Sequence, residues 1–130
     1  MGEGEIRVLL CDDAAGFRAL MRYALQEDPA FAIVGEVADG HAGLHAVAEL
    51  RPDVVLLDLS MPRLDGIDAI AAMLERSPHS RVVALSGFAA DDKAEAALAL
   101  GAHAYLEKGC DMATIRETVR AAASAPGASA

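Results

Sequence analysis

Five polar side chains of this 130-residue chain stand where short apolar runs stop, and their types suit one another. Asp12 and Asp13 follow IRVLLC, Asp58 follows VVLL, Ser86 follows RVVAL, and Lys108 comes just after AYLE. Three carboxylates brought together repel unless a cation joins them. Oxygen-only ligands with room for water suit a hard ion such as Mg²⁺, with Mn²⁺ the alternative. No clustered His or Cys offers the ligands of a zinc site. A carboxylate can also act as a nucleophile toward phosphorus, giving an aspartyl phosphate. The transferred group is densely charged, so its oxygens need the metal on one side and an ammonium on another. Lys108 is suited to the second task, and the Ser86 hydroxyl can donate to a third oxygen. Taken alone, Asp12-Asp13 reads as a solvated helix amino terminus, where acidic residues are favourable. Taken with Asp58, Ser86 and Lys108, the metal-site reading prevails.

These residues can meet only if the elements bring them to one edge. In Val54 to Gly66, VVLLDLSMPRLDG, four consecutive apolar residues deliver Asp58. A run without alternation predicts a strand buried on both faces, the habit of a central parallel strand. Pro62 and Asp65-Gly66 then turn the chain out of the sheet. Around this centre, strands are expected at Ile6 to Cys11, Phe31 to Val37, Arg81 to Leu85 and Ala102 to Leu106. Helices are expected from Ala14 to about Glu27, after Asp39-Gly40, from Ile67 to Leu74, from about Asp91 to Leu100, and after a capping Asp111. Gly101 has the helix-stop role. Within the helix after Gly66, the apolar face is read as Ile67, Ile70, Ala71 and Leu74. Strict alternation predicts an α/β fold, a single (βα)5 doubly wound parallel sheet covered by helices. In such a sheet the strand ends share one edge, where ligands bind.

Composition narrows the classes. A hydrophobic content of 54% is ample for one core, and the net charge of −9 argues against nucleic-acid or anionic-membrane binding. No stretch is long enough to span a bilayer, and MGEGEIRVLLCDD has neither the basic flank nor the long apolar run expected of a signal peptide. Cys11 and Cys110 form neither a CxxC pair nor a disulfide framework and read as reduced thiols. The expectation is a cytoplasmic protein with one domain over residues 1–123 and a tail or linker over 124–130. His41, His45, His79 and His103 read as surface or packing residues.

The motifs together resemble the receiver domain of bacterial two-component response regulators. The likeness covers residues 5–123 and rests on Asp12-Asp13, LLDLSMPRLDG, ALSG and AYLEKG in order. It implies the flavodoxin-like strand order 2-1-3-4-5. It implies that Asp58 is the phosphorylation site, served by a histidine kinase or phosphotransfer protein. Asp13, Asp58 and the Ser60 carbonyl would hold Mg²⁺ directly and Asp12 through water. Lys108 would pair with the phosphoryl group, helped by the amides of Leu59 and Gly87. Ser86 and Tyr105 match the family's switch pair, which remodels the face formed by the fourth helix, fifth strand and fifth helix. Ser60 and Phe88 flank the path of attacking water, and bulky Phe88 is expected to slow hydrolysis.

Gly109 departs from the family's frequent proline after the lysine, and Ser86 from its more frequent threonine, keeping the hydroxyl but losing a methyl. The stretch FAIVGEVADGHAGLHAVAELRPDVVLLDLSMP most resembles receivers that precede a LuxR-type DNA-binding domain. The implied output is therefore a domain beyond the carboxyl end, possessed by the same chain or supplied by a separate protein target, with homodimerisation a further association. Two other readings stay open. A phosphate-independent pseudo-receiver would keep the fold without the chemistry. A haloacid-dehalogenase-type phosphohydrolase expects a second acid two residues after its nucleophile, where this chain has Ser60. As a receiver the chain is expected to be no enzyme beyond its own phosphorylation and dephosphorylation.

Overall fold

The computed structural model describes residues 5–60, 66–87 and 92–124. Strands and helices alternate through β1 (Ile6–Cys11), α1 (Ala15–Gln26), β2 (Phe31–Val37), α2 (Gly40–Leu50) and β3 (Val54–Asp58). The second half adds α3 (Gly66–Arg76), β4 (Arg81–Ser86), α4 (Asp92–Ala99), β5 (Ala104–Glu107) and α5 (Met112–Ser124). All four strand pairings are parallel, and the order is β2-β1-β3-β4-β5. The central strand is buried at every residue, as its unbroken apolar run requires.

Alternation along the strands builds two cores. Val8, Leu10, Leu56, Val83 and Leu85 face the layer of α1 and α5, where Met21, Leu25, Ile115 and Val119 are buried. Leu9, Cys11, Val55, Leu57 and Ala84 face the other layer, meeting Val47 of α2, Ile70 and Met73 of α3, and Ala97 of α4. Successive residues of one strand thus serve opposite layers, and both layers hold the strand ends in place.

Helix ends follow from local chemistry. Asp39 caps α2 by accepting the Ala42 N–H at 2.8 Å, and Asp111 caps α5 by accepting the Thr114 N–H at 2.8 Å. Gly101 ends α4 with φ +115°. The Ala102 N–H then returns to the Ala97 carbonyl at 3.0 Å and the Gly101 N–H to Leu98 at 3.1 Å, a Schellman closure. That closure claims Ala102, so β5 begins at Ala104 rather than at the expected Ala102. In α3 the buried residues are Ala69, Ile70 and Met73, with Leu74 packed beside them, while Ala71 is exposed. One step of about 100° carries position 71 off the face that Ile70 and Met73 share.

Candidate functional site

The carboxyl ends of β1 and β3 lie side by side, since Cys11 pairs with Leu57. Asp12 continues β1 by one ladder bond, its N–H donating to the Val37 carbonyl at 3.0 Å. Its side chain then turns the chain into α1. Ala14 has no side chain with which to cap that helix, and Asp12 Oδ1 accepts the Ala14 N–H at 2.8 Å. Asp12 is fully buried and Asp58 nearly so at 1% exposure, whereas Asp13 stands exposed at the rim. Oxygens of all three carboxylates lie within 4.8 Å of one another.

Lys108 reaches this pocket from the end of β5, its backbone N–H anchored on the Ser86 carbonyl at 2.9 Å. The ammonium lies 2.9 Å from Asp12 Oδ2 and 3.3 Å from Asp58 Oδ2. Burial pulls the ammonium down, but the adjoining carboxylates of Asp12 and Asp58 outweigh it and hold Lys108 above its ordinary value of 10.5. The approach to Asp12 Oδ2 is an ion pair out of line for a hydrogen bond, so that buried oxygen has no directed donor among the described residues. An oxygen compensated only by an off-line charge, beside two further carboxylates, is what a hard divalent cation would complete. The donor set therefore fits Mg²⁺.

The structure brings together Asp12, Asp13, Asp58 and Lys108, the four residues expected to carry most of the charge. Ser86 is buried at the end of β4, and exposed Gly87 follows it. Tyr105 is half-buried in β5, paired in register with Ala84 and packed into the core on the α2, α3 and α4 side. Ser86 follows Ala84 by two residues, so the register sets Ser86 and Tyr105 on one face of the sheet. Phe88 lies outside the described residues. The four histidines are exposed. Cys11 is a free, buried thiol that burial and then the Asp12 charge push far up, and Cys110 is also free.

One expected contact is corrected. The Leu59 amide does not face the pocket, because the β3–β4 ladder runs one residue past Asp58. Its N–H donates to the Leu85 carbonyl at 3.0 Å. The amide that reaches the carboxylate is the next one, with the Ser60 N–H donating to Asp58 Oδ1 at 3.0 Å. Phe17 is a site residue that motif reading missed. Its ring centroid lies 4.9 Å from Lys108 Nζ, a cation–π contact that screens one side of the ammonium. The available signal was its place one helical turn beyond Asp13.

Known proteins give the same picture. The family model for the response regulator receiver domain matches residues 8–120. The chain is 37% identical over 117 residues to the transcriptional regulatory protein LiaR of Bacillus subtilis, covering 90% of this chain and 56% of LiaR. It is 43% identical over 106 residues to a protein-glutamate methylesterase/protein-glutamine glutaminase of Symbiobacterium thermophilum, covering 79% of this chain and 29% of that protein. The chain thus spans about half or less of the curated relatives it matches. The signal receiver domain of NarL from Mycobacterium tuberculosis superposes with a TM-score of 0.89 at 32% identity, covering 94% of this chain and 98% of that one.

Proposed function

This chain belongs to the response regulator receiver domain family, and we propose that Asp58 is its phosphoryl acceptor, with a histidine kinase or phosphotransfer protein as donor. As a receiver it is a phosphoacceptor switch. The single observation that carries the residue assignment is the buried Asp58 carboxylate, held 3.3 Å from the Lys108 ammonium at the edge of the acidic cluster.

In the proposed reaction an Asp58 oxygen forms a bond to phosphorus as the bond from phosphorus to the donor imidazole nitrogen breaks. The electron pair leaves with the imidazole. The Ser60 N–H on Asp58 Oδ1 orients the carboxylate, and Lys108 neutralises charge that arrives with the phosphoryl oxygens. The Ser86 hydroxyl and the Gly87 amide supply further donors from the neighbouring strand end. Asp13, Asp58 and the Ser60 carbonyl would hold Mg²⁺, with Asp12 acting through water. That ion, when bound, supplies positive charge for the phosphoryl oxygens and relieves repulsion among the carboxylates. Phe17 and the buried strand ends keep bulk water from one side of Lys108.

Once Ser86 is drawn to the phosphoryl group, Tyr105 on the same sheet face can take a second packing, and the α4-β5-α5 face changes with it. We assign the output to a further domain or separate protein target. The likeness to LiaR supports a transcriptional output, with DNA contacted by a part other than this acidic domain. A homodimer belongs to the same proposal, as does a chain with no catalysis beyond its own phosphorylation and dephosphorylation. No helix among the described residues is long and apolar enough to cross a membrane.

Intact mass after incubation with Mg²⁺ and acetyl phosphate tests the assignment. One phosphoryl adduct is expected on the wild type and none on Asp58→Asn or when EDTA is present during loading. No adduct on the wild type would return the chain to the pseudo-receiver reading, and many turnovers of released phosphate would favour a hydrolase.

A further inference from the structure

We propose that Arg18, gripped by Glu36 of the edge strand, is a positioning residue for the divalent-cation site. It acts on the main chain of Asp12 rather than on any ligand oxygen. The inference rests on the cation-site reading above. Arg18 lies in α1, and its Nη1 donates to the Asp12 backbone carbonyl at 2.6 Å. Its Nε donates to Glu36 Oε1 at 3.3 Å. Glu36 also receives Arg22, one helical turn on, whose Nη1 lies 2.7 Å and 2.6 Å from its two oxygens. The guanidinium of Arg18 is therefore fixed from two sides, and its side chain is only 22% exposed.

The consequence falls on Asp12. With Arg18 in place, its backbone N–H is bound to Val37, its carbonyl to Arg18, and its Oδ1 to Ala14. The peptide linking Asp12 to Asp13 is thus pinned with its carbonyl turned to Arg18, which leaves Asp12 Oδ2 and the Asp13 carboxylate to converge with Asp58. Asp13 has no such support of its own among the described contacts. A carboxylate that depends on its neighbour's peptide plane for aim is sensitive to that plane. Outer partners of metal ligands commonly carry about 10- to 100-fold in metal affinity.

The sign of the effect separates positioning from charge. Arg18 is a cation beside a cation site, so a purely electrostatic role makes its removal tighten Mg²⁺ binding. Positioning makes removal weaken it. The experiment is a Mg²⁺ titration of the whole chain followed by backbone amide shifts, in wild type, Arg18→Met, Arg18→Lys, Arg22→Met and Asp13→Asn. Arg18→Met is expected to raise the Mg²⁺ dissociation constant about tenfold. Arg22→Met removes the same charge from the same Glu36 without touching Asp12, and its constant is expected to stay the same or fall. Arg18→Lys keeps the charge and fills the same space but cannot hold two fixed acceptors, and it too is expected to bind more weakly. An unchanged or lower constant in Arg18→Met overturns the inference, as does wild-type affinity in Arg18→Lys should Arg18→Met fail to fold. No Mg²⁺ binding by the wild type sinks the cation-site reading itself. Wild-type binding that is lost in Asp13→Asn keeps that reading whatever Arg18 does.

Discussion

Lys108 is the residue on which the resting site turns. Two buried carboxylates without it would face each other uncompensated, and losing one partner of a buried pair costs far more than the pair contributes. Lys108 keeps 21% side-chain exposure, so the cost is discounted from the fully buried case. Lys108→Met is expected to lower the stability of the metal-free protein by about 2 kcal/mol, read in urea titrations, with Mg²⁺ narrowing the difference. Phosphorylation from acetyl phosphate should slow about a hundredfold, the scale of losing one preorganised donor to developing charge. The pH dependence has a definite sign. Because the folded protein holds Lys108 above 10.5, its stabilising contribution is fully present below 10.5 and is lost as pH rises through the folded value. Urea midpoints that differ between wild type and Lys108→Met at neutral pH should therefore converge in strong alkali. Phe88 carries a separate expectation at this scale: Phe88→Ala should shorten the lifetime of the phosphoryl group, and an unchanged decay would count against its role.

At the scale of elements, the caps and stops that aim the strand ends are open to direct test. Asp39→Ala removes the acceptor for the Ala42 N–H and should cost about 1 kcal/mol, with Asn retaining most of it. Gly101→Ala should cost about 2 kcal/mol, since φ is +115° there and a new Cβ would stand 2.7 Å from Leu74 Cδ1. Asp28 is held low first by the Ala30 N–H and then by Arg120, and Asp111 by its bonds to Thr114. Their contributions are present above 3.8 and fade as pH falls through the folded values. These elements also show what was legible beforehand. The buried run Val54 to Leu57 has one sensible reading, so β3 and the place of Asp58 followed directly from it. The start of β5 did not, because Ala102 is claimed by a closure on Ala97 that only the α4 end creates. Nor did the Ser60 amide stand out over Leu59. That choice depends on whether Leu59 stays in the ladder with Leu85, a pairing between strands distant in sequence. The helix that carries Phe17 and Arg18 was legible locally, but their meetings with Lys108 and Glu36 are made only when β5 and β2 are in place.

For the whole molecule, the acidic cluster makes stability and metal one question. A cation that binds the folded chain alone stabilises it by mass action, about 1.4 kcal/mol at ten times its dissociation constant. The wild type should melt higher in Mg²⁺, and Asp13→Asn should not respond. In the proposed switch, phosphorylation would then add contacts at Ser86 and Lys108 and shift the balance between two packings of the α4-β5-α5 face. All of this depends on the phosphoryl group residing on one carboxylate. The most direct measurement reduces the phosphorylated protein with isotopically labelled borohydride, which converts an acyl phosphate to a labelled alcohol, and locates the label by peptide mass. Label at position 58 alone is the predicted result. Label at Asp12 or Asp13, or none despite a phosphoryl adduct, would contradict the account.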